Sequence, residues 1–275
     1  MGKTRRRYMV SKASNLGRVN LVMNNLNKRL IARLDIKKNR LIKGVHFEGL
    51  RHIGDPKDYA IKYYDQGIDE ILLLDTVASL HGRNALYNII DEITNNIFIP
   101  ITIGGGINSL EQAKKMFDSG ADKITINTFA IENPSLINKI ASNFGSQAIT
   151  ISLQVKRINN SLKLMKYNGR EISEKKIDYW IKEIEERGAG EIMVTSIDKD
   201  GTLEGFDMDL LNQIKNLTNL PIICSGGISS SQNIQDCFNN GSQAVAIASA
   251  FHYEKLSLVQ VKSELIKKSI KIRSY

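Results

Sequence analysis

The chain has 275 residues, 42% of them apolar, enough to bury a core of substantial size. Its 38 Lys and Arg outnumber 29 Asp and Glu, a formal +9, yet six of the bases and none of the acids fall in residues 1–27. The other 248 residues carry 32 bases against 29 acids, a near balance that argues against a nucleic-acid binder.

Residues 1–27 read as a basic N-terminal extension ahead of a domain over 28–275. The extension lacks the sustained apolar stretch of a secretory signal. Its composition fits a disordered tail, residues foreign to the native protein upstream of Met23, or a transit peptide. No apolar run approaches the roughly 18 residues a membrane helix needs, so no membrane span is expected. Cys224 and Cys237 form neither a disulfide framework nor a metal spacing, which points to a reducing compartment, the cytoplasm.

From Leu30 onward, short β-branched runs alternate with amphipathic segments. Strands are predicted at Leu30–Ile36, Glu70–Asp75, Ile99–Ile103, Lys123–Asn127, Ala148–Gln154, Glu191–Ser196, Pro221–Ser225 and Ala244–Ser249. Helices are predicted at Asp55–Gln66, Arg83–Asn95, Ser109–Ser119, Asn133–Asn143, Glu174–Arg187 and Asp207–Asn216, with Gly67, Gly120, Gly188 and Gly241 at helix stops. This alternation predicts an α/β fold, a (β/α)8 TIM barrel, with a doubly wound open sheet as the alternative.

An internal repeat favours the barrel. Ile99-Pro-Ile-Thr-Ile-Gly-Gly-Gly-Ile107 matches Leu220-Pro-Ile-Ile-Cys-Ser-Gly-Gly-Ile228 at an offset of 121, and Gly67-Ile-Asp-Glu-Ile matches Gly188-Ala-Gly-Glu-Ile at the same offset. Leu34-Asp35-Ile36-Lys37 matches Leu153-Gln154-Val155-Lys156 at 119. Two similar half-barrels related by a pseudo-twofold axis explain this pattern more naturally than an open sheet.

The repeat also duplicates a candidate site. Gly104-Gly105-Gly106 follows one strand and opens a helix, and Ser225-Gly226-Gly227 does the same in the second half. Glycine lets the backbone approach an anion, and a helix N-terminus offers it free N–H groups. The following strands end in Asn127-Thr128 and Ala248-Ser249. A lone Gly-Gly is more often a plain turn; two copies in register, at strand ends that a barrel gathers around one mouth, predict a ligand with a phosphate at each end.

Between the cradles stands Asp35, a candidate general acid or base whose alternative is a structural ion pair with Lys37 or Lys43. The repeat sets Gln154 opposite it, a side chain that hydrogen-bonds but exchanges no proton. Lys43 is a candidate substrate or phosphate contact, Asp75 closes its strand, and Asp198, Asp200 and Thr202 add to the rim. At the opposite end, Arg29, Glu70, Lys123 and Glu191 each begin a strand; pointing inward they would form a ring of paired charges, pointing outward a solvated surface.

The segments Lys28-Arg-Leu-Ile-Ala-Arg-Leu-Asp35, Leu41-Ile-Lys-Gly-Val-His-Phe47, Ile103-Gly-Gly-Gly-Ile107, Ala121-Asp-Lys-Ile-Thr-Ile-Asn127, Phe144-Gly-Ser-Gln147, Thr195-Ser-Ile-Asp-Lys-Asp-Gly-Thr202 and Ala248-Ser-Ala-Phe-His252 together resemble the cyclase subunit of imidazole glycerol phosphate synthase, from histidine biosynthesis. The resemblance runs from about Lys28 to the C-terminus. It implies a barrel acting on a ribulose-aminoimidazole carboxamide with a phosphate at each end. The implied partner is a glutaminase docked at the barrel bottom as a heterodimer, and its ammonia crosses the barrel to the mouth.

By the same resemblance, Asp35 matches the first catalytic aspartate, and Arg29, Glu70, Lys123 and Glu191 match an ammonia gate. Asp122 and Gln147 match the glutaminase interface; Thr195 and Ser225 match substrate-binding positions. No cofactor and no metal are implied. Three departures stand out. Gln154 occupies the place of the second catalytic carboxylate, Arg33 replaces a smaller residue on the face of Asp35, and Lys38-Asn39 replaces the usual Asp-Gly. A kept gate under an altered mouth leaves two expectations: a weakened cyclase, or a paralogue passing ammonia to another acceptor, as cyclase-like proteins linked to surface-sugar amidination would.

Overall fold

The computed structural model describes residues 27–78 and 87–274; the N-terminal extension, apart from Asn27, lies outside them, as do the first residues of the helix predicted from Arg83. Eight parallel strands form the barrel: β1 (Arg29–Lys37), β4 (Glu70–Asp75), β5 (Ile101–Gly104), β6 (Lys123–Ile126), β7 (Ile149–Ile158), β10 (Glu191–Ser196), β11 (Ile222–Ser225) and β12 (Ala244–Ile247). Each pairs with the next, and β12 pairs back onto β1 with Arg29 opposite Ala244, which closes the sheet and leaves no parallel edge. The open-sheet alternative is thereby removed.

Helices lie between strands: α1 (Pro56–Asp65), α2 (Tyr87–Thr94), α3 (Leu110–Asp118), α4 (Thr128–Glu132), α5 (Ser135–Phe144), α6 (Ile177–Glu186), α7 (Met208–Lys215), α8 (Ser231–Asn239), α9 (Ser249–His252) and α10 (Leu258–Lys267). The two-residue period of a strand splits each barrel strand between two cores. On β1, Leu30, Ala32, Leu34 and Ile36 face the helices and join the large outer core. Ile31 points the other way and packs with Leu72, Met193, Ile223, Ala244 and Ala246 in a small apolar plug on the barrel axis. Polar inward positions lie above and below that plug.

The pseudo-twofold repeat is carried down to single hydrogen bonds. Ile71 N–H donates to Pro100 O at 3.0 Å, and Ile192 N–H donates to Pro221 O at the same distance. Ser109 and Ser230 each cap a helix, accepting from Gln112 N–H and Asn233 N–H at 3.2 Å. Both cradles differ from expectation here: α3 begins only at Leu110 and α8 only at Ser231, so three residues separate Gly106 and Gly227 from their helices. The strand after it ends at Ile126 and the last barrel strand at Ile247, so Thr128 and Ser249 begin helices α4 and α9 rather than end strands.

Two antiparallel additions rise from the C-terminal ends of β1 and β7. Strands β2 (Arg40–Val45) and β3 (Glu48–Gly54) extend the first half, and β8 (Ser161–Lys166) and β9 (Glu171–Ile172) the second. Their tight turns use paired left-handed residues, Lys38-Asn39 (φ 50° and 61°) and Asn159-Asn160 (φ 49° and 58°), the conformation a two-residue hairpin requires. Among the described residues, no helix is long and apolar enough to cross a membrane.

Candidate functional site

At the N-terminal face the first residues of β1, β4, β6 and β10 turn inward and interlock. Arg29 Nη1 lies 2.6 Å from Glu70 Oε2, and Arg29 Nη2 pairs with Glu191 Oε1. Lys123 Nζ lies 2.7 Å from Glu70 Oε1 and 3.4 Å from Glu191 Oε2. Each acid therefore touches both bases, a closed ring of alternating sign. Thr102 Oγ1 adds a hydrogen bond to Glu70 at 2.6 Å. Asp122 and Gln147 lie on this same face: Asp122 accepts from Ile101 N–H at 2.8 Å, and Gln147 is exposed. Phe98, 81% exposed, stands just before β5 on the same side.

At the C-terminal face two clefts flank the barrel axis. One is lined by Gly105, Gly106, Asn127 and Thr128, with Ser152, Gln154, Asn168 and Arg33 toward the centre. The other is lined by Ser225, Gly226, Gly227, Ala248 and Ser249, with Lys43 and Asp200 toward the centre. The glycines are required by geometry. Gly105 and Gly226 have φ of +114° and +106°. A Cβ on Gly105 would stand 2.4 Å from Asp75 O, and one on Gly226 2.6 Å from Ser196 O, so the chain can pass there only without a side chain.

Several buried oxygens in these clefts have no hydrogen-bond partner: Thr125 Oγ1 and Gln154 Oε1 in the first, Ser249 Oγ in the second. Buried polar atoms are costly when unpaired, so both clefts are prepared for a polar ligand. Above them, the two hairpins enclose a third space lined by Lys37, His46, Lys156 and Arg170 with Glu48, a predominantly basic vestibule.

The centre of the mouth holds a buried network of two cations and two anions. Arg33 Nε donates to Asp35 Oδ1 at 2.8 Å, and Arg33 Nη1 donates to Ser225 Oγ at 3.0 Å and lies 3.7 Å from Asp200 Oδ2. Lys43 Nζ bridges Asp200 Oδ1 at 2.5 Å and Asp35 Oδ2 at 3.4 Å. Of the two partners the sequence offers Asp35, the fold chooses Lys43; Lys37 stands in the vestibule. Burial alone would push the Asp35 carboxyl up, but Arg33 and Lys43 outweigh it and hold it below the usual carboxylate range. Thr195, 1% exposed, sits between Gln154 and Ser225 in the strand register.

Two rim residues do other work. Asp198 accepts from Arg157 N–H at 2.7 Å and ties β7 to the loop after β10, and Thr202 Oγ1 donates to Lys199 O at 2.9 Å. The sequence did not flag His252, which stands behind Asp35 and shares a 2.7 Å hydrogen bond between its Nδ1 and the Tyr63 hydroxyl. Burial pushes its pKa down to about 4. Among the described residues, no cluster of His, Cys, Asp or Glu could hold a metal ion.

The comparisons with known proteins agree with this geometry. The histidine biosynthesis protein family matches residues 29–257. The chain is 40% identical over 248 residues to imidazole glycerol phosphate synthase subunit HisF of Thermotoga sp. (strain RQ2), covering 90% of this chain and 98% of that protein. The chain belongs to this family. HisF of Helicobacter hepaticus is 43% identical over 249 residues, covering 90% of this chain and 99% of that protein. HisF of Legionella pneumophila is 51% identical over 203 residues, 74% of this chain and 96% of that protein. The HisF family is the cyclase subunit of imidazole glycerol phosphate synthase, so the resemblance drawn from the motifs holds over the whole barrel.

Proposed function

We propose that this barrel uses ammonia to cleave and cyclise a bisphosphorylated aminoimidazole carboxamide ribulose, yielding imidazole glycerol phosphate and an aminoimidazole carboxamide ribotide. The observation that carries this reading is the pair of glycine clefts in repeat register on either side of Asp35. One phosphate lies against Gly105, Gly106, Asn127 and Thr128, the other against Gly226, Gly227 and Ser249, and the basic vestibule draws the dianionic groups in. Asp35 moves the proton between the attacking nitrogen and the substrate, Thr195, Ser225 and Asp200 orient the substrate, and Lys43 holds Asp35 and Asp200 in place.

In this reading Arg29, Glu70, Lys123 and Glu191 gate the ammonia at the barrel floor. Asp122, Gln147 and exposed Phe98 lie where a partner glutaminase docks. The test is purified chain with the bisphosphorylated substrate and ammonium at high pH. Product above an Asp35→Asn control supports the reading, and none above that control sinks it.

The ion pair on Asp35 and the amide at position 154 favour a second reading, in which the barrel receives ammonia from a glutaminase and passes it to another acceptor, such as a sugar-modifying enzyme. Imidazole glycerol phosphate formed from the bisphosphorylated substrate supports the first reading, and a co-purified glutaminase that releases ammonia into the barrel with no such product supports the second.

A further inference from the structure

Arg33 is the feature of the mouth that the proposed chemistry does not use. The residue is 2% exposed, and its guanidinium reaches from β1 past β12 to Ser225 on β11. Two of its nitrogens are committed to Asp35 and Ser225, and its Cζ lies 5.5 Å from the centre of the Phe47 ring. Phe47 in turn lies against the far hairpin, where a Cβ on Gly169 would meet Phe47 Cδ2 at 3.1 Å. The cation is thus held on three sides, by Asp35, Ser225 and Phe47, and it stands between the two clefts, where the middle of a ligand held at both ends must pass.

Its chemical effect falls on Asp35. A carboxylate that already accepts from a buried guanidinium has lost most of its drive to take another proton. Across the first cleft, Gln154 leaves its Oε1 without a partner and supplies no second base. We propose that Arg33 is a positioning residue acting through Asp35. It holds down the reactivity of the mouth toward the bisphosphorylated substrate, and it does so jointly with Gln154: restoring a carboxylate at 154 is ineffective while Arg33 remains, because Asp35 stays held and the cation lines the same cleft as position 154. This rests on the cyclase reading above.

The experiment compares the full chain with Gln154→Asp, Arg33→Cys, Arg33→Met and Arg33→Cys/Gln154→Asp, using the bisphosphorylated substrate and saturating ammonium. Arg33→Met keeps the bulk of the stem while removing the charge, and melting curves establish that each protein is folded. The single Gln154→Asp should gain less than about tenfold in kcat. Either Arg33 variant should lower KM by about tenfold, since the path between the clefts opens. The double variant should gain at least about 100-fold in kcat, the range for one proton-transfer group. If Gln154→Asp alone gives the full gain, or if both Arg33 variants raise KM, Arg33 is not the restraint and the assignment falls while the cyclase reading stands. If no folded variant forms product, the cyclase reading itself falls.

Discussion

Lys123 Nζ and Glu70 Oε1, 2.7 Å apart, come from strands β6 and β4, which flank β5, and meet across it because both side chains turn inward on the curled sheet. Glu70 is 1% exposed, so it depends on Lys123 and Arg29 for the hydration it has given up. Removing one partner from such a buried pair costs about 3 kcal/mol or more, while removing both sides costs far less. Glu70→Gln should therefore lower Tm by roughly 6–12 °C for a chain of this size. In a double-mutant cycle with Lys123→Met, the coupling should exceed about 1 kcal/mol. Additive effects would mean that the ring is an accident of side-chain placement. In assembly with a glutaminase, the same substitution should lower glutamine-dependent turnover more than ammonium-dependent turnover.

His252 makes stability depend on pH in a window where few other groups titrate. Its folded pKa is lowered to about 4 by burial, against an ordinary value of 6.5. Between those values the unfolded chain binds more protons than the folded one, so stability falls as pH drops from 6.5 toward 4. The loss is at most about 3 kcal/mol. Melting curves at pH 7.5 and pH 5 measure it, and His252→Asn should flatten the difference although its Tm at pH 7.5 is lower. A wild-type Tm unchanged between the two pH values would show that the imidazole is solvated.

How far the site was legible in the sequence follows from what kind of contact each part uses. The barrel strands announce themselves through β-branched runs and glycine stops, and the repeat at 121 residues announces the closure. The glycine runs of the two cradles were legible because they are local, whereas Thr128 and Ser249, expected at strand ends, open helices. The hairpins were not, since their turns are Lys38-Asn39 and Asn159-Asn160 without glycine, and the strands beside them are too polar to stand out. The grip of Arg33 on Ser225 links residues 192 apart and exists only once β1 and β11 come to the same mouth. Asp198 shows the converse: an acid of the rim motif accepts from the Arg157 backbone, a contact that no spacing reveals.

Asp35 should behave as an anion throughout the working pH range. Its pKa is held below the ordinary carboxylate value by Arg33 and Lys43 despite burial, so the stability it contributes is present above that ordinary value and lost as pH falls below it. Asp35→Asn should cut kcat by about 10²–10⁴ with little change in substrate Kd, because the phosphates are held elsewhere. It should also lower Tm, since Arg33 and Lys43 would then share Asp200 alone. A Kd weakened as much as kcat, measured by calorimetry, would move Asp35 from proton transfer to binding.

The cradles offer the sharpest separation of binding from chemistry. An alanine at Gly105 or Gly226 must adopt φ beyond +100° and place its Cβ within 2.6 Å of a backbone oxygen, so either substitution forces the loop to shift. The two sites are built from different strands, β4 and β5 for one and β10 and β11 for the other, and share no glycine contact. Their effects should therefore add: each single change raises KM for the bisphosphorylated substrate at least about tenfold, and the double change at least about 100-fold. A ligand carrying a single phosphate should respond to only one of the two. If Gly105→Ala and Gly226→Ala affected such a ligand equally, the clefts would not each hold one phosphate, and the two-ended substrate would lose its structural basis.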